Sequence, residues 1–242
     1  MSTFHYTDHT CALAFETSST QGSVALGRGG QLLEVRPLSV PRQHAAQFLP
    51  TVEALCRAHG VSPRDIALVI VSSGPGSFTG LRISVTAARM IALAHAAALV
   101  SVPTLSVIAQ NALQAMPPLR RVAVILDAKR GKVFAQSFQR IADRYEPLDE
   151  PGERDPAAYC ADQPTDCAIM GEGVPYHRAA VEAAGRTILS DELFPPRAAV
   201  LFDLGVERAR TGALTERRAL TPLYVRPPEA EEKWALRRRD GQ

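Results

Sequence analysis

The chain has 242 residues, 46% of them hydrophobic, enough to bury a sizeable core in one large domain or two lobes, which excludes disorder over most of its length. Its 27 basic and 25 acidic residues leave a net charge of +2, too little for an independent nucleic-acid binder, so RNA contact would rest on local clusters or a partner. Cys11, Cys56, Cys160 and Cys167 form no Cys-x-x-Cys pair, which suggests neither a zinc knuckle nor a redox dithiol and fits free thiols in a reducing cytoplasm.

Residues 1–10 are polar and carry no apolar core of signal-peptide type. Residues 11–15 then read as a strand, residues 16–22 as a polar turn, and residues 23–26 and 31–38 as two further strands of a meander. Pro41-Arg42-Gln43-His44 leads into a helix whose apolar positions Phe48, Leu49, Val52, Leu55 and Cys56 recur at helical spacing, ending near His59-Gly60. Residues 65–72 are the next strand.

That strand runs into Gly74-Pro75-Gly76-Ser77-Phe78-Thr79-Gly80, with Ser77 or Thr79 as the expected cap of a helix over residues 78–99. Glycines let main-chain N–H groups converge, and a helix N-terminus adds unpaired donors, so the loop reads as an anion cradle or as a tight strand-to-helix connection. It is neither a Walker loop nor a dinucleotide fingerprint. The helix is apolar nearly all round, which predicts burial on more than one side, against the sheet and against another element or chain. Arg89 and His95 interrupt the apolar stretch 83–103, so no membrane span is expected.

Residues 100–103 read as a strand and Thr104 as the cap of a helix reaching about residue 116, where Pro117-Pro118 breaks the chain. The pattern then restarts: strand 121–126, Asp127, the turn Ala128-Lys129-Arg130-Gly131, and strand 132–138. Glu16 and Asp127 are thus corresponding acids of two repeated halves, 1–116 and 117–242, and two such tips facing across a cleft could hold a metal and nucleotide phosphates, or could be solvated turn residues. A loose stretch 146–164, a strand 167–170, helices near 175–184 and 197–210, and a charged tail ending Arg237-Arg238-Arg239 complete the second half. No Gly-x-Ser-x-Gly elbow and no catalytically placed cysteine is present, and His5 and His9 lie in the polar leader, outside any helix.

Leu13-Ala14-Phe15-Glu16-Thr17-Ser18, Pro41-Arg42-Gln43-His44, the Gly-Pro-Gly-Ser-Phe-Thr-Gly stretch, Leu126-Asp127-Ala128-Lys129-Arg130-Gly131 and Pro222-Leu223-Tyr224-Val225-Arg226 together resemble the TsaB branch, also called YeaZ, of the TsaB/TsaD family. The resemblance implies an actin-like, ribonuclease-H-like two-lobed α/β fold with a mixed sheet and flanking helices in each lobe. It implies a non-catalytic, cytoplasmic subunit that binds a TsaD-like catalytic subunit, and with it a TsaE-like ATPase. The complex transfers threonylcarbamoyl to N6 of adenosine 37 in ANN-decoding tRNAs, and this chain meets tRNA through it.

The metal-binding His-x-x-x-His of the catalytic branch has no counterpart in residues 104–115, which contain no histidine. The resemblance places the subunit contact on the helices near 43–59 and 78–99, naming His44, Phe48, Val52, Leu81, Arg82, Val85, Ala88, Ile91 and Ala92 as interface candidates, with a homodimer through the same helices open for the chain alone. Glu16, Thr17, Ser18, Gly74, Gly76, Ser77 and Asp127 are the candidates facing a nucleotide. Glutamate stands at position 16 where the family usually has aspartate, so no tightly bound cofactor is expected, and the partner interface is left open as a place for ATP or ADP. The competing expectation is an independent ATP-binding phosphohydrolase or kinase that uses Glu16, Asp127 and the glycine loop.

Overall fold

The fold, obtained as a computed structural model, describes residues 4–38 and 44–223. Pro41-Arg42-Gln43, the side chain of His44, Tyr224-Val225-Arg226 and the terminal arginines lie outside the described residues. The first half comprises β1 (Cys11–Glu16), β2 (Gly22–Arg28), β3 (Gln31–Leu38), α1 (His44–Ala58), β4 (Ile66–Gly74), α2 (Phe78–His95) and β5 (Ala98–Pro103). Its sheet has the order β3-β2-β1-β4-β5, with β1 antiparallel to β2 and parallel to β4.

After α3 (Thr104–Asn111), the second half comprises β6 (Arg121–Lys129), β7 (Lys132–Ile141), β8 (Arg144–Pro147), β9 (Gly152–Arg154), α4 (Pro156–Asp162), β10 (Cys167–Met170), α5 (Val174–Ala183) and α6 (Ala198–Arg210). Its sheet order is β10-β6-β7-β8, with β9 added to β7. The pairing repeats that of the first half: β6 is antiparallel to β7 and parallel to β10. A glycine at nearly the same positive φ closes each parallel partner strand, Gly74 (+106°) as the last residue of β4 and Gly171 (+108°) as the residue after β10, a region that favours glycine because it lacks Cβ. The fold is the two-lobed α/β arrangement with one mixed sheet per lobe that the resemblance implies.

Every residue of β1 is buried because its sheet is covered on both faces. On one face Leu13, Phe15, Val69 and Val71 pack with Phe48 and Leu55 of α1 and Val85 and Ala88 of α2. On the other, Ala14, Leu68 and Ile70 pack with Leu201, Phe202 and Val206 of α6. A Cβ at Gly205 would run into the Ile70 side chain, so glycine there sets the close approach of α6. The expected boundary at 116/117 therefore divides the two sheets but not the helices, since α6 follows the second sheet in sequence and completes the first.

Local differences from expectation have local causes. Helix α2 stops at His95, four residues early, because Ala96 turns left-handed (φ 55°) and Ala98 already pairs with Leu68 in the sheet. Thr104 is the first residue of α3 and not its cap; the cap position is Pro103, and the buried Thr104 hydroxyl has no hydrogen-bond partner among the described residues. The stretch 146–164 is not loose throughout. Asp155 accepts hydrogen bonds from the N–H groups of Ala157 and Ala158, and Pro156 supplies the first turn of α4.

Candidate functional site

The glycine loop between β4 and α2 is first of all a docking device for the β1–β2 turn. The Ser77 N–H donates to the Ser18 carbonyl at 2.6 Å, and the Thr17 hydroxyl donates to the Gly80 carbonyl at 2.7 Å. A Cβ on Gly76 would meet the Ser18 carbonyl oxygen, and one on Gly80 that of Thr17, so both positions need hydrogen for backbone to lie on backbone. Ser77 is the cap of α2: its hydroxyl accepts the Gly80 N–H at 3.2 Å. Two of the main-chain donors that would make an anion cradle are thereby engaged within the protein.

Glu16, the last residue of β1, points inward. Its carboxylate accepts the Ser18 N–H (2.8 Å), the Ser18 hydroxyl (2.5 Å) and the Ser72 hydroxyl, and the residue is fully buried. Burial pushes its pKa up, against the lowering effect of the two serines. Asp127 lies within β6, paired with Val133, and is not at a turn tip. Burial would raise its pKa too, but the Lys129 ammonium at 2.7 Å, the Lys129 N–H at 3.1 Å and the nearby His177 ring hold it below the usual value. The two acids therefore do not face each other across a cleft.

A cleft of about 690 Å³ does separate the lobes. Ser18, Gly76, Ser77 and Asp127 line it, whereas Glu16, Thr17 and Gly74 do not. Sequence reasoning did not single out Lys129, Glu172, Tyr176 or Asp191 as cleft residues, and all four line it. The Ser19 hydroxyl donates to Glu172 at 2.8 Å, tying the first lobe to the second across it. Glu172 was legible in principle: Gly171-Glu172-Gly173 follows an apolar strand and precedes a helix, as the glycine loop does in the first half. Carboxylates outnumber ammonium groups in the lining, and the Lys129 ammonium is already held by Asp127. Among the described residues no group of three or more His, Cys, Asp or Glu side chains is placed to hold a metal ion.

The second candidate region is the outer surface of α1 and α2. Gly80, Leu81, Ser84, Val85, Ala88 and Ala92 of α2 are buried, so the expected interface residues Leu81, Val85, Ala88 and Ala92 face inward, as does Phe48 of α1. The opposite side of the helix pair exposes large apolar side chains, Leu49 at 64%, Met90 at 65% and Leu93 at 68%. Val52 and Ile91 are half-buried at the edges of a groove of about 550 Å³ between the helices, and Arg82 is exposed, stacked 3.8 Å over the Phe78 ring. Leu49 thus departs from the inward face its spacing implied.

A family profile described as TsaD: tRNA N6-adenosine threonylcarbamoyltransferase matches residues 26–188, spanning both the helix pair and most of the second sheet. The chain belongs to the TsaB/TsaD family. The tRNA threonylcarbamoyladenosine biosynthesis protein TsaB of Bacillus subtilis is 26% identical over 228 residues, 92% of this chain and 96% of that one. TsaB of Escherichia coli is 36% identical over 128 residues, about half of each chain (53% and 54%). A solved structure described as an uncharacterized protein with similarity to peptidase YEAZ from Pseudomonas aeruginosa superposes with a TM-score of 0.77. It is 26% identical and covers 90% of this chain and 100% of its own. The TsaB/YeaZ likeness therefore extends over nearly the whole length, including the loop, the cleft and the α1/α2 face.

Proposed function

We propose that this chain acts in threonylcarbamoyladenosine synthesis on tRNA as a non-catalytic subunit that binds a TsaD-type catalytic subunit, and with it a TsaE-type ATPase. The observation that carries the reading is the α1/α2 face: Leu49, Met90 and Leu93 stand more than half exposed on two adjacent helices whose inner sides are fully packed. Large apolar side chains grouped in this way mark a protein contact, because leaving them in water forfeits about 25 cal/mol for every Å² that burial would remove. The relatives named tRNA threonylcarbamoyladenosine biosynthesis protein TsaB support the place in that synthesis.

The cleft chemistry supports a scaffold over an independent phosphohydrolase or kinase. Phosphates entering it meet Asp127, Glu172 and Asp191 with one ammonium already paired, and the Ser77 and Gly80 N–H groups are occupied. These residues do not fit a tightly held nucleotide, and no step is assigned to one. No helix among the described residues is long and apolar enough to cross a membrane. The test is light scattering on size-exclusion fractions of this chain mixed with the TsaD-type protein of the same genome: a joint peak with wild type that disappears with Met90→Glu is expected. Separate elution of the two wild-type proteins, with or without ATP, would refute the reading.

A further inference from the structure

A pocket of about 510 Å³ lies between α6 and the chain that joins β8 to β9, and it shares no lining residue with the cleft. One wall comes from a break along the edge of β7, where β9 pairs with residues 133–135 and β8 with residues 138–141. Gln136 and Ser137 therefore have no strand beside them on that edge. Asp149 closes the break: its carboxylate accepts the Ser137 N–H at 2.8 Å and its carbonyl accepts the Gln136 side-chain N–H at 2.7 Å. That leaves Gln136 Oε1. The residue lines the pocket, is 4% exposed, and this oxygen has no hydrogen-bond partner among the described residues. A buried amide oxygen without a donor has lost its hydration and gained nothing, so a donor entering from the pocket is favoured.

The lining also has a charge imbalance, with Glu146, Asp149, Glu150 and Glu207 against Arg144 and Arg208. Arg144 is paired with Glu207, and the Arg208 guanidinium donates to the Ser101 carbonyl at 2.8 Å with Glu146 acting on it through space. Asp149 and Glu150 are exposed and enter no ion pair among the described residues. Val102, Pro147 and Leu204 add an apolar wall. We propose that this pocket binds a guanidinium group carried on an alkyl stem, which donates to Gln136 Oε1, sets its charge against Asp149 and Glu150, and lays its stem along the apolar wall. A planar fork of five donors can serve an amide oxygen and a carboxylate together, which a compact ammonium does less well. The excess of carboxylates disfavours an anion. No residue of the site belongs to α1 or α2, so the inference is independent of the docking reading. Two sources carry this chemistry: a small alkylguanidine from solution, or this chain's own Arg226. Leu223 lines the pocket and its N–H donates to the Ser73 carbonyl, and Arg226 follows three residues later, a span of about 10 Å of extended chain.

The experiment is a titration of the full-length, 15N-labelled chain with n-butylguanidinium, and with n-butylurea as its uncharged isostere, followed in amide correlation spectra. Wild type, Arg226→Ala and Glu146→Gln/Glu150→Gln are compared; both glutamates are exposed, so the double variant keeps its fold, which circular dichroism checks. Expected are saturable shifts of the Gln136 side-chain amide with a Kd of about 1 mM, at least tenfold weaker binding of butylurea, and about fivefold weaker binding of butylguanidinium by the double variant. Binding by Arg226→Ala at least fivefold tighter than by wild type supports the site with the chain's own arginine as occupant. Equal binding by the two supports it with a guanidinium from solution. The proposal is overturned if neither wild type nor Arg226→Ala shows a saturable shift at Gln136 up to about 20 mM probe, if butylurea binds as well as butylguanidinium, or if the double variant binds like wild type.

Discussion

Ser72, at the end of β4, donates its hydroxyl to the carboxylate of Glu16, at the end of β1, and this bond between parallel neighbours secures an acid inside the first lobe. The cost of burying that charge outweighs the help of Ser18 and Ser72, since the Glu16 pKa is raised. An acid whose folded pKa lies above its unfolded value of 4.5 gives stability that is complete below that value and lost as pH rises through the folded one. Glu16→Gln removes the charge and keeps acceptor and donor atoms for serine hydroxyls that can rotate. The variant should gain on the order of 1–2 kcal/mol over wild type at pH 8, with the gap closing towards pH 4, in urea unfolding followed across pH.

The loop contacts make a steric prediction. A methyl group at Gly80 collides with the Thr17 carbonyl oxygen, a main-chain atom that cannot swing away as a side chain would. Gly80→Ala should lower stability by about 3 kcal/mol and free the β1–β2 turn, seen as faster amide exchange at Ser77 and Ser18. Gly131→Ala is a control for glycine itself: its φ is +73° but nothing lies near the added carbon, so the loss should stay near 1 kcal/mol.

How far the sequence could be read depended on the range of the interaction. β1 to β4, β10, α5 and α6 follow from local apolar runs and turn residues, and the repeat is visible in the order strand, acid, glycine turn, strand. The inward course of Glu16 was not legible, because it depends on Ser72, 56 residues on, and on α6 closing the second face of the sheet from far along the chain. Helix α4 was legible in Asp155-Pro156, a cap followed by a first-turn proline, but the surrounding acids and glycines masked it. The face that α2 turns inward was the hardest to assign. Ala, Leu, Ile and Met on all sides leave little contrast, so only packing distinguishes Ala88, fully buried, from Met90, exposed.

That distinction is testable with two glutamates placed two residues apart. Ala88→Glu forces a carboxylate against Phe15, Val69 and Val71, so the protein should unfold or lose more than about 4 kcal/mol. Met90→Glu projects into water, should melt within a few degrees of wild type, and should lose binding to the TsaD-type protein. Equal melting temperatures for the two variants would show that the inward face of α2 is wrongly assigned.

The Ser19–Glu172 bond permits the same kind of test between the lobes. Burial raises the Glu172 pKa and the Ser19 hydroxyl lowers it, so the bond relieves a charge that is poorly solvated. In Ser19→Ala that relief is gone, and the folded pKa moves further above the unfolded 4.5. Stability lost on ionising Glu172 then grows, and it is lost as pH rises through the folded value, so the variant should fall below wild type by about 1–2 kcal/mol at pH 8 and by much less at pH 4. Glu172→Gln, which can still accept the serine proton, should show little of this pH dependence. Thermal melts of both variants at pH 4, 6 and 8 would separate the outcomes, and a Ser19→Ala deficit that is constant across pH would mean that the hydroxyl acts through packing and not through the carboxylate.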